Sequence, residues 1–144
     1  MYTFQLSTEI HKPVDTVIRL YSDRSLHPKW NPGLVSDELT TGKNGEKQYK
    51  TIYGKGRRKL VMKETILRDA LPGLYVVRYE MKGVINTVRN SFVPISPGVT
   101  KWNAEFEYSF KGLKNLIATY MRSNFEKQST IIMNNFKGFA ESVR

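Results

Sequence analysis

The sequence contains no cysteine. That removes disulfides, thiolate metal sites and cysteine nucleophiles together. Histidine occurs only twice, at His11 and His27, which excludes centres built from several imidazoles. Neither histidine has a second histidine or a carboxylate at ligand spacing, so no metal and no other cofactor is expected. A Gly-x-Ser-x-Gly nucleophile elbow is also missing. Gly54-Lys55-Gly56 is no phosphate loop, because no helix follows it. No apolar run approaches the ~20 residues of a spanning helix. The first residues alternate in polarity and do not form the basic and apolar blocks of a secretory signal, so a soluble, cytoplasmic chain is expected. There is no repeat, low-complexity segment or linker, and 144 residues suit one domain over 1–144. Such a length buries roughly two-thirds of the unfolded surface without any covalent or metal staple.

Acidic residues are scarce. Thirteen Asp and Glu stand against 23 Lys and Arg, a net charge of +10. A surplus of that size favours anionic partners, though many soluble proteins are basic for colloidal reasons alone.

Polarity alternates cleanly over residues 2–10, with Tyr2, Phe4, Leu6 and Ile10 on one face, which predicts a half-buried strand. Pro13 then opens a short amphipathic helix carrying Val14, Val17, Ile18 and Tyr21 and ending near Asp23. Residues 25–33 hold two prolines and a glycine and allow a helical turn or two. Strands are predicted over 34–40, 47–53, 58–68, 74–82, 84–93 and 100–110. Asn44-Gly45 marks one tight hairpin, and Pro94 is expected to close the 84–93 strand. After Gly112 the period changes to about 3.6 and no proline occurs through Ser142. Leu113, Leu116, Ile117, Tyr120, Met121, Phe125, Gln128, Ile132, Phe136 and Phe139 form the expected stripe of one long helix. Short links between strands imply an antiparallel meander, and only the C-terminal helix is long enough to cover its apolar face.

This order resembles the helix-grip fold of the START-like (SRPBCC) superfamily, close to its polyketide cyclase/dehydrase and lipid-transport-like members. The residues carrying the resemblance are the strand ending at Ile10, Pro13 with Val17 and Leu20, Trp30-Asn31-Pro32, Phe92, and the aromatic alternation of 100–110. It implies an α+β chain with a seven-stranded curved antiparallel sheet, two short helices after the first strand and a long C-terminal helix. It also implies a cavity between sheet and helix for an apolar or amphipathic small molecule. Lipid carriers, cyclases, hormone receptors and co-chaperone domains share the fold, so fold does not settle function.

The expected ligand-binding set is Trp30, Tyr49, Tyr53, Tyr75, Tyr79, Asn86, Asn90, Trp102, Phe106, Tyr120 and Asn124. The aromatic members, with Tyr108, should project from the concave face, and Tyr120 and Phe125 should look back from the helix. Pockets are lined by such side chains with a few polar groups. Each is equally explicable as core packing. Asn86 and Asn90 share a face with Val88 and Phe92, and a buried amide must find a partner, in a ligand or in neighbouring protein. Asn124 and Gln128 fall near the helical stripe and admit the same two readings. Trp30, between Pro28 and Pro32, serves either as a lid on the cavity or as an anchor for the short helix.

Glu64 alternates with Met62 and Ile66. An inward Glu64 has a raised pKa and is the candidate catalytic acid or base. The other register, with Val61, Thr65 and Leu67 inward, leaves it in water. Lys47, Lys50, Lys55, Arg57, Arg58, Lys59 and Lys63 concentrate positive charge in two strands and their turn. This run suits transient contact with an anionic membrane surface or a polyanion, or it is a solvated convex face; nucleic acid is not the expected partner. The leading expectation is binding of an apolar or amphipathic small molecule, biased towards negative charge. The alternatives are a cyclase or dehydratase acting on a polyketide-like or aromatic substrate, and a co-chaperone-like or polyanion-binding module.

Overall fold

A computed structural model describes the chain except residues 112–114, with side chains of 115–118 also outside the description. Leu113 and the side chains of Leu116 and Ile117, expected in the helical stripe, therefore lie outside the described residues. The elements follow in the order β1 (Tyr2–Ile10), α1 (Val14–Ser22), a 3-10 turn (Arg24–Lys29), β2 (Leu34–Thr41), β3 (Lys47–Tyr53), a second 3-10 turn (Gly56–Arg58), β4 (Leu60–Ala70), β5 (Leu74–Met81), β6 (Val84–Ser96), β7 (Val99–Phe110) and α2 (Asn115–Ser142). All seven strands join one antiparallel sheet in the order β1-β7-β6-β5-β4-β3-β2. The sheet is open and curved, and the 28 residues of α2 span about 42 Å at 1.5 Å per residue.

Local chemistry accounts for the reversals. Gly45 takes a φ of 80° in the turn between β2 and β3, where Gly42 N–H donates to Glu46 O. Gly54 takes a φ of 77° as β3 ends, and its N–H donates to Gly33 O. The 3-10 turn Gly56–Arg58 delays the next strand, so β4 begins at Leu60, two residues later than expected.

Pro94 does not end β6. The strand runs on to Ser96 through an irregularity between Pro94 and Ser96. The printed β5–β6 register ends at Tyr75↔Asn90, and Phe92 N–H turns outward to Pro72 O. Two residues on, the nitrogen of Pro94 faces that same side, so its missing N–H breaks no ladder bond.

The open question of β4 register resolves with Met62, Glu64 and Ile66 facing inward. Glu64 is 6% exposed, whereas Val61 and Leu67 are 41% and 46% exposed. Thr65, on the other face, is nevertheless buried, and its hydroxyl accepts a hydrogen bond from Gln48 Nε2.

The helical stripe differs from the expected one. Met133, Phe136 and Ala140 are buried, with Phe125, Ile132 and Phe139 half-buried beside them. Tyr120 is 75% exposed, and Asn124 and Gln128 are exposed too. At 3.6 residues per turn, Tyr120 lies 16 residues before Phe136 and so roughly 160° around the helix; Asn124 lies roughly 120° around. A stripe followed in steps of three and four drifts off the buried face over that distance. Tyr120, Asn124 and Gln128 accordingly do not line the concave face.

Candidate functional site

One cross-strand row runs over the concave face. Tyr49 pairs with Glu64, Glu64 with Tyr79, Tyr79 with Asn86, and Asn86 with Tyr108. Strand alternation places all five on one side of the sheet. Further along, Tyr75 pairs with Asn90 and Phe92 with Trp102. The two regions differ in chemistry.

The second region is filled by the protein's own rings. Tyr21, from α1, lies 5.0 Å from Phe92, 5.5 Å from Trp102, 5.6 Å from Phe136 and 5.8 Å from Trp30, centroid to centroid. Trp30 meets Phe136 edge-on at 5.0 Å and is 5% exposed. It anchors the short turn in the core. Asn90 is bonded within the protein: its Oδ1 accepts from Trp102 Nε1 at 3.0 Å and its Nδ2 donates to the Tyr75 carbonyl at 3.3 Å. The hollow expected between sheet and helix is thus closed here by packed aromatics, each favouring offset or edge-on contact.

The first region is polar. Glu64 is its centre, and burial raises its pKa more than the nearby Arg24 charge lowers it. Arg24 comes from the turn after α1. Its Nε and Nη2 donate to the two carboxylate oxygens of Asp37 at 2.8 and 2.9 Å, and Nη2 also donates to Glu64 Oε2 at 3.2 Å. Its guanidinium lies 3.6 Å over the Tyr49 ring. Burial opposes the Arg24 charge, but Asp37 and Glu64 outweigh that and hold it protonated beyond its ordinary value. Burial pushes the phenols of Tyr53, Tyr75 and Tyr79 upward, with Glu64's charge adding to the effect. Yet all three rings keep part of their surface exposed. Among the described residues none of these hydroxyls hydrogen-bonds to protein. Asn86 is 7% exposed and its Oδ1 has no partner among the described residues. Its neighbour Tyr108 stacks on Phe125 at 4.7 Å, and burial pushes its pKa up to about 12. Phe106 stacks on Phe4 at 4.5 Å.

The expected residues therefore divide. Tyr49, Tyr53, Tyr75, Tyr79 and Asn86 gather around Glu64. Trp30, Asn90 and Trp102 form the wall behind them, Phe106 lies in the sheet flank, and Tyr120 and Asn124 are outside. Arg24 and Asp37 were not anticipated. They stand thirteen residues apart in polar segments without periodic pattern, and no sequence signal points to their pairing. A pocket of about 270 Å³ opens beside them between the turn and β2, lined by Arg24, Pro28, Leu34, Val35 and Asp37 among others. A smaller pocket of about 150 Å³ lies across the convex face near Thr87, Arg89 and Glu105.

Of the two histidines, only His27 stands near this cluster. His27 Nε2 is 3.1 Å from the Tyr21 carbonyl, and burial and the Arg24 charge lower its pKa. His11 is exposed and pairs with Glu141 at 2.9 Å. Among the described residues no three His, Cys, Asp or Glu side chains come together to hold a metal ion, and no helix is long and apolar enough to cross a membrane.

Residues 1–138 match the model of a family described as polyketide cyclase / dehydrase and lipid transport. No curated protein matches the sequence. Among solved structures, the chain is similar to the Zhui aromatase/cyclase from Streptomyces sp. R1128, with a TM-score of 0.81, 11% identity, and 97% of this chain and 93% of that one covered. It is similar to a START superfamily protein from Mycobacterium smegmatis, with a TM-score of 0.77, 15% identity and full coverage of both chains. It is also similar to a truncated norcoclaurine synthase from Thalictrum flavum, with a TM-score of 0.74, 15% identity, and 99% of this chain and 95% of that one covered. At such identities the likeness establishes the fold.

Proposed function

The chain belongs to the START-like polyketide cyclase / dehydrase and lipid transport family, and from that premise we propose that it binds an apolar or amphipathic small molecule on the concave face, between the sheet and α2. The observation that carries this reading is the group of phenol hydroxyls of Tyr53, Tyr75 and Tyr79, deep enough for burial to raise their pKa yet bonded to no described protein group. Buried hydroxyls seek a partner, and a ligand oxygen or nitrogen supplies one. Tyr49 and Asn86 complete the polar half, and the packed wall of Trp30, Asn90 and Trp102 bounds it. Desolvation of the ligand's apolar area would contribute about 25 cal/mol per Å². Incubation with mixed lipid extract followed by native mass spectrometry tests the proposal. A retained species, displaced by a fluorescent apolar probe and weakened in Tyr79→Phe, is expected. A chain that retains nothing and leaves the probe unbound overturns it.

Glu64 favours a second reading, a cyclase or dehydratase acting on a polyketide-like or aromatic substrate. A buried carboxyl with a raised pKa holds a proton nearer neutral pH, as a general acid requires. Under this reading Glu64→Gln abolishes turnover while leaving binding intact. If both persist in the variant, Glu64 has no catalytic part.

A further inference from the structure

The antiparallel register sorts every loop to one end of the sheet or the other. The starts of β1, β2, β4, β6 and α2 share one end with the finishes of β3, β5 and β7, as the pairs Tyr2↔Tyr108, Leu34↔Tyr53, Tyr53↔Leu60, Met81↔Val84 and Val84↔Phe110 show. The loops at this end carry Lys55, Arg57, Arg58, Lys59, Lys82 and Lys111, all exposed. None of these six forms an ion pair among the described residues, and residues 54–61, 81–84 and 110–111 contain no Asp or Glu. Of the acids on the adjoining strands, Glu80 is engaged with Lys63 and Arg78, and Asp37 and Glu64 with Arg24; Glu107 stands three residues inside the end of β7, and Glu126 on α2 accepts from the Tyr2 hydroxyl.

The opposite end is mixed. It carries Glu46, Asp69 and Glu141 among its cations, with Glu141 bridging His11 and Lys137. Lys47 and Lys50, counted in the same basic run, stand on β3 itself and not at this tip. Six of the chain's 23 Lys and Arg residues thus stand at one end with no acidic residue in the same loops.

That end also exposes apolar side chains. Leu60 and Val61 follow directly on Arg57-Arg58-Lys59 and are 42% and 41% exposed. Tyr120, in the first turns of α2, is 75% exposed. The packed aromatic wall closes the grip towards the other end, so the polar half of the concave face lies on the basic side.

We infer that the basic end, centred on Lys55, Arg57, Arg58, Lys59, Leu60 and Val61, docks on an anionic phospholipid surface. A cluster of unpaired cations gains about 1 kcal/mol per Lys or Arg beside an anionic leaflet. Apolar side chains next to them enter the boundary between headgroups and acyl chains. A nucleic acid offers the same phosphates but no use for Leu60 and Val61. The inference is independent of what the concave face holds.

The test is vesicle co-sedimentation of the full chain, with phosphatidylcholine vesicles free of other solutes, with and without a quarter of phosphatidylserine. Binding is expected only with phosphatidylserine and weaker at high salt. Arg57→Glu/Arg58→Glu should weaken it by about thirtyfold or more. Leu60→Asn/Val61→Asn should weaken it without any change of charge, and Lys43→Glu, at the far end, should leave it within about twofold. All these positions are exposed, and circular dichroism verifies the fold of each variant. Equal binding to neutral vesicles, or undiminished binding by Arg57→Glu/Arg58→Glu, overturns the inference. So does tight binding of a duplex oligonucleotide that ignores Leu60→Asn/Val61→Asn, which would make this a nucleic-acid surface.

Discussion

Arg24 reaches Glu64 through one contact of 3.2 Å while two bonds of 2.8 and 2.9 Å commit the same guanidinium to Asp37. Asp37 is thus the primary partner, and Glu64 is compensated only in part. This explains why its pKa rises even though a cation stands beside it.

The sign of the pH dependence follows. An unfolded glutamate titrates near about 4.3. Between that value and its raised folded value, Glu64 holds a proton in the folded chain that the unfolded chain has lost. Its contribution to stability therefore falls as pH rises through that interval. Glu64→Gln removes the effect. Urea unfolding at a series of pH values should find this variant at least as stable as the parent at pH 8, with the advantage vanishing towards pH 4. A variant less stable at pH 8 would mean that the Arg24 contact outweighs the cost of burial.

Removal of the cation acts the other way. Arg24→Met strands both carboxylates, and losing one partner of a buried pair costs about 3–5 kcal/mol. The loss measured by urea unfolding at pH 7 should shrink at pH 5, as Glu64 takes up a proton. Arg24→Lys should restore only part of it, because a lysine cannot make the two-pronged bond to Asp37.

Trp102→Phe keeps a ring against Phe92, 5.6 Å away, but deletes the donor to Asn90 Oδ1. Asn90 is 2% exposed, so its oxygen is left unpaired in the core. Unfolding should show a loss of about 1–3 kcal/mol. Near-neutral stability would show that the amide finds another donor.

The two faces of α2 should respond very differently. Phe136 is fully buried between Trp30 and Trp102, and Phe136→Ala should cost about 3–5 kcal/mol. Tyr120→Ala should change stability by no more than about 0.5 kcal/mol. Thermal melts of the two variants side by side are sufficient.

Asn86 separates binding from folding. Its Oδ1 has no partner among the described residues, so Asn86→Leu removes a buried unsatisfied group and should be neutral or stabilising. If the amide orients a ligand, affinity for a bound species falls at the same time. A variant that binds undiminished removes Asn86 from the site.

Short-range pattern made most of the architecture legible. Period-two alternation in β1 and β7, the turn glycines and the existence of one long proline-free C-terminal helix depend on neighbours a few residues apart, and each is present in the structure, though the buried stripe of that helix is not the expected one. Both faces of β4 were nearly equally apolar, so Glu64 had two allowed directions, and only pairing with Tyr49 and Tyr79 chose between them. The exposure of Tyr120 and Asn124 depended on angular drift accumulated along the whole of α2. The pairing of Arg24 with Asp37 and Glu64 depended on a turn, an edge strand and an interior strand meeting in space. The division of the concave face into a packed aromatic wall and a polar half around Glu64, and the placing of six unpaired cations at one end, likewise needed the strand order. Local periodicity is written in adjacent residues; charge compensation and enclosure arise between residues far apart in the chain, and no spacing records them.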